Sequence, residues 1–213
     1  MSATNPDDAR QMECAAVRAR PVARSWDADA VDALVDEADQ LAAEAHEALV
    51  RDHGSRKPEE YLPGLGLKIK VIESSDRWPT PYFSLYDGAA RTVELNTKLI
   101  DDVSRFLKQR GRTDRAAHGR LRQTAIAHEI YHHLVPRPVA KSWRQRFFGV
   151  ATDARTDLVE EIAAVRFSQL LAGIDFSPLE YPAAAKELSR TRPDKSTNQP
   201  AGVLSLFKRP TAF

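Results

Sequence analysis

Residues 124–135 read TAIAHEIYHHLV, and the reading of this stretch decides the fold. Three histidines and a glutamate interrupt a run that is otherwise mostly aliphatic and aromatic. A helix that only had to pack would not carry four such groups, because burying them unpartnered is costly. His128-Glu129-Ile130-Tyr131-His132 fits the pattern H-E-x-x-H. Side chains four apart on a helix stand one above the other, so His128 and His132 can aim both imidazoles at one metal ion. Glu129, about 100° round the axis from His128, falls beside that ion, where a base acting on water belongs. The same face runs back through Leu121, Thr124 and Ala125, which turns the histidines toward a core. The expected ion is zinc, one per chain, which with an open coordination position brings the pKa of water to roughly 7.

A catalytic zinc site takes three protein ligands. A third histidine six residues past His132 is ruled out by Pro138. The downstream stretch TDLVEEIAAVRFSQLL (156–171) supplies acids instead. At 100° per residue, Ala163, Ala164, Phe167, Leu170 and Leu171 form its apolar arc. Glu160 falls inside that arc, whereas Glu161 lies at its rim with Asp157 and Ser168. A carboxylate on a buried face needs a partner or a metal, so Glu160 is the expected third ligand and Glu161 the alternative. Glu161 or Asp157 could then orient a histidine from outside the ligand set. Tyr131 and His133 are candidates for holding substrate or steadying an oxyanion, set against core packing for Tyr131 and a solvated helix position for His133.

Outward from this centre the pattern predicts an α+β fold, a small mixed or antiparallel sheet packed on helices. Val31, Leu34, Ala38, Leu41, Ala45 and Leu49 share one stripe of a helix over 27–52. LKIKVIES (67–74) alternates as a strand does, and PYFSLYDGAARTVELN (81–96) reads as two strands joined around Asp87-Gly88. Asn96 is placed to cap a helix over 97–110, with Gly111 at its end. The H-E-x-x-H helix is expected from about Thr113 to Val135, where Pro136 stops it. Residues 1–25, polar and without period, read as an arm. Residues 26–190 read as one domain and 191–213 as a tail. KSWRQRFF (141–148) reads as a lid or docking surface, or else as a connector whose aromatics pack on the core.

Composition narrows the classes. Lys plus Arg number 31 against 30 for Asp plus Glu, so net charge makes no case for nucleic acid or a membrane surface. Cys14 is the only cysteine, which excludes disulfide scaffolds and cysteine-built zinc sites. No stretch approaches 18 apolar residues, and MSATNPDDARQME has no apolar signal core, so the expected location is cytoplasmic.

Several strings together resemble the ImmA/IrrE family of zinc metallopeptidases, a minimal gluzincin group. RLRQTAIAHEIYHHL is similar to its active helix, RTVELN to the strand upstream, and EEIAAVRFSQLL to its glutamate-and-alanine helix; the likeness spans roughly 67–171. A tyrosine replaces the usual glycine before the second histidine, and alanine-valine replaces alanine-asparagine after the glutamate. Spacing to the paired leucines points to Glu160, whereas alignment on Phe167 points to Glu161. The resemblance implies a cytoplasmic endopeptidase cutting a protein or peptide substrate, often a repressor. Its zinc would sit on His128, His132 and a downstream glutamate, with Glu129 as base. The strand at 91–95 is expected either to hold an extended peptide by edge pairing or to lie buried in the sheet. No helix-turn-helix is legible, so direct nucleic-acid binding has no support. A non-catalytic metal-binding regulator with the same fold is the alternative. A SprT-like protease, which would need a third histidine, ranks below both. Substrate identity and oligomeric state are not encoded in any motif.

Overall fold

The computed structural model describes residues 6–73, 82–135 and 150–191. Among these are seven α-helices, α1 (Pro6–Arg18), α2 (Ala28–His53), α3 (Pro58–Tyr61), α4 (Thr97–Gln109), α5 (His118–Leu134), α6 (Val150–Ala172) and α7 (Glu180–Thr191). Three strands, β1 (Lys68–Ile72), β2 (Ser84–Asp87) and β3 (Thr92–Asn96), form one sheet in the order β1-β3-β2. The α+β expectation therefore holds, with a sheet that is mixed. β1 runs parallel to β3, with Lys68 opposite Thr92, and β2 runs antiparallel to it, with Ser84 opposite Leu95. β3 is thus the central strand, paired on both sides, and the expected edge pairing at 91–95 is not available to it. The outer strands of the described sheet are β1 and β2.

Local chemistry accounts for most boundaries. Asp27 caps α2, its carboxylate accepting from the Ala30 N–H at 2.8 Å. Asn96 caps α4 by accepting from the Leu99 N–H at 3.1 Å, and Gly111 leaves the helix at φ +74°. The β2–β3 turn places Arg91 at φ +49°. Its guanidinium donates to the Leu65 and Gly66 carbonyls, which ties this turn to the loop before β1. The α5 helix begins at His118 rather than near Thr113, because Arg112 and Ala116 close a separate turn first.

The long helices carry the core. α6 packs along α2 on one side and along α5 on the other, while α5 also meets β2, β3, α3 and α4. Enclosure on so many sides explains why residues 124–132 are all buried, with no polar stripe among them. On α2 the expected stripe is inward at Val31, Leu34, Ala38 and Leu49, but Leu41 stays 37% exposed.

Part of the expected N-terminal arm is a packed helix. Along α1, Ala9, Glu13, Ala16 and Val17 are buried, and Arg10 pairs with Asp32 and Asp36 of α2. The four inward residues sit at helical spacing, but the arginines and acids around them hide the pattern. The 191–213 tail, apart from Thr191 at the end of α7, and the aromatic stretch 141–148 lie outside the described residues. No helix among the described residues is long and apolar enough to cross a membrane.

Candidate metal centre

Two adjacent pairs of residues on α5 divide the polar groups between two neighbours. His128 and His132 face α6, while Glu129 and His133 face β2. A helix turn of about 6 Å over four residues nearly matches the spacing of about 6.7 Å between alternate strand residues. Ser84 and Tyr86, on one face of β2, can therefore reach Glu129 and His133 in register.

The His128 and His132 Nε2 atoms lie 3.2 Å apart, and both residues are nearly fully buried. The acid that meets them is Glu161. One of its oxygens is 3.7 Å from His128 Nε2 and the other is 3.6 Å from His132 Nε2. The donor atoms of His128, His132 and Glu161 all fall within 4.8 Å of one another. Bonds of about 2.0–2.1 Å to a tetrahedral ion put neighbouring donors roughly 3.3–3.4 Å apart, close to the 3.2 Å between the imidazoles, and each imidazole has a different Glu161 oxygen within 3.7 Å. The two imidazoles and the carboxylate could hold a single metal ion.

Glu160, the expected third ligand, is not in this group. Its charge instead acts on the Tyr131 phenol, which burial first and Glu160 second push up to about 12. The cause is the second buried face of α6. Val165 and Ser168, one and two turns beyond Glu161, line a cavity of about 10 Å3 together with His128. The face that meets the histidines is therefore 161/165/168, and the apolar arc through Ala163, Ala164 and Phe167 is not that face. Asp157, one turn before Glu161, is solvent-exposed and is not among the converging donors.

The Glu129 carboxylate, 3% exposed, accepts a hydrogen bond from the Ser84 hydroxyl at 2.8 Å. His133 is half-buried, its Nδ1 2.8 Å from the Tyr86 hydroxyl, so it is not the solvated position expected of it. Burial and the Arg91 charge hold its pKa below the usual histidine range. The Tyr131 ring is fully buried against Phe167, 5.5 Å between centroids, and its hydroxyl is buried without a hydrogen-bond partner among the described residues.

All six histidines of the chain are described, and none adds a third imidazole. His46 lies edge-on to Phe167, His53 edge-on to Tyr61, His118 pairs with Asp101 at 2.9 Å, and His133 meets Tyr86. The three-histidine ligand set of the SprT-like reading is absent. Sequence reasoning missed Ser84 and Tyr86; the available signal was a small polar residue alternating with aromatics in PYFSLYD.

No family model, curated protein or solved structure matches the chain.

Proposed function

We propose that the protein is a zinc-dependent endopeptidase of the gluzincin type, with His128, His132 and Glu161 as metal ligands and Glu129 as general base. One observation carries this reading: two imidazoles and a carboxylate converge within 4.8 Å, directly beside a buried glutamate held from the other side by β2. Bound there, zinc would supply Lewis acidity, polarising the scissile carbonyl and bringing the pKa of water to roughly 7. Glu129 takes the proton of the attacking water on its carboxylate and delivers it to the leaving amine. β2, the outer strand on α5, receives the substrate as an added extended strand, and His133 stands at its far end beside Tyr86. A zincin-like fold, kinship with the ImmA/IrrE peptidases, a cytoplasmic setting and a protein regulator as substrate belong to the same proposal and rest on the resemblance of the motifs.

The alternative is a metal-binding regulator that docks a partner without cleaving it. The observation on its side is the cavity beside His128, which at about 10 Å3 has room for one water and not for a substrate side chain. Glu129→Gln separates the two readings. The zinc-loaded wild type should generate new N-termini in a proteome-derived peptide library, read by mass spectrometry. The variant should generate none while still holding one zinc. An inactive wild type that binds zinc with full occupancy favours the regulator.

A further inference from the structure

Ser84 is out of place by composition. It sits on β2 between Phe83 and Leu85, 2% exposed, where an alanine or valine would pack without leaving a polar atom to satisfy. Its hydroxyl has one proton and two acceptors in reach, Glu129 Oε1 at 2.8 Å and the Ala125 carbonyl at 3.1 Å. The carbonyl already belongs to the α5 ladder, while a carboxylate forms the stronger, charge-assisted bond. The proton therefore goes to Glu129. A glutamate side chain has three rotatable torsions, and a hydrogen bond from a buried strand on the opposite element removes that freedom.

We propose that Ser84 is the positioning residue of the metal centre: from β2 its hydroxyl holds Glu129 Oε1 and so fixes the orientation of that carboxylate. This rests on the reading of Glu129 as base, and the role is indirect, acting only through that carboxylate. Misplacing such a group by a fraction of a helix turn is enough to lose one to two orders of magnitude in function, as in other oriented sites.

The test uses the full chain loaded with cobalt(II), whose visible absorption reports the site, and acetohydroxamate as probe, a metal-directed ligand that needs a proton acceptor beside the ion. Wild type, Ser84→Ala, Ser84→Thr and Glu129→Gln should bind one cobalt each with equal affinity, because neither residue is a ligand. Acetohydroxamate affinity should fall about tenfold in Ser84→Ala, stay within twofold in Ser84→Thr, and fall at least as far in Glu129→Gln. In the double variant, loss of Ser84 should add nothing to the loss of Glu129. Ser84→Cys, similar in volume with a weak donor, reads the same loss if the alanine variant does not fold. Equal affinity in wild type and Ser84→Ala, or a full additional loss in the double variant, overturns the proposal while leaving the metal site standing. Failure of the wild type to bind cobalt overturns both.

Discussion

Two adjacent glutamates on one helix meet different neighbours. Glu161 faces the imidazoles and Glu160 acts on a buried phenol. Glu161→Ala should therefore weaken zinc binding at least about a hundredfold, more than the usual cost of a lost outer partner. Glu160→Ala should leave it within a few-fold, as read by competition with a chromophoric chelator. Equal losses in both would show that the pair shares the ion. At this scale the sequence was partly legible. H-E-x-x-H marks His128, Glu129 and His132 without any structural help, because their relation is local to one helix. A helical wheel turns Glu160 rather than Glu161 toward the histidines because it finds one apolar arc, and α6 has two buried faces meeting different partners. Ser84 and Tyr86 were invisible because their roles depend on which strand ends up beside α5.

Elements show the same division between local and non-local information. Caps at Asp27 and Asn96 and the left-handed Gly111 follow from residue type and position. The strand order does not, since only the folded sheet puts β3 between the other two. α1 is the element whose character the sequence concealed. Its inward Glu13 is 2% exposed, and burial, then the charge of Asp39, push its pKa from 4.5 up to about 7 against the opposing pull of Arg166 and Arg10. Between those values the folded chain holds a proton that the unfolded chain has released. Stability therefore falls as pH rises from about 4.5 toward 7 and levels off above it. At 1.36 kcal/mol per pKa unit, the penalty at pH 8 is on the order of 3–4 kcal/mol at most. Glu13→Gln, which keeps the shape without the charge, should be more stable than wild type in urea titrations at pH 8, and the gain should shrink sharply at pH 5. An unchanged gain at both pH values would show that ionisation is not the cause.

Across the whole molecule, α6 is the shared wall. It presses on α2 with one face and presents Glu161 to α5 with another, so the candidate metal centre is built on a helix of the main core. An ion that binds only the folded chain stabilises it by about 2.7 kcal/mol at a hundred times its dissociation constant. For a chain of this size that raises the melting temperature by roughly 5–10 °C. Scanning calorimetry with and without zinc should show that rise, and a chelator should abolish it. His132→Ala should show no response to zinc. The centre also joins positions far apart in the chain, with Ser84, the 128–132 motif and Glu161 on three separate elements. During synthesis on the ribosome, residues up to 132 emerge before Glu161 does. A nascent or prematurely ended chain would therefore have the base and two imidazoles but no complete cradle for an ion. On the proposed reading, cutting ability is withheld until the polypeptide has been made past α6 and has closed on itself.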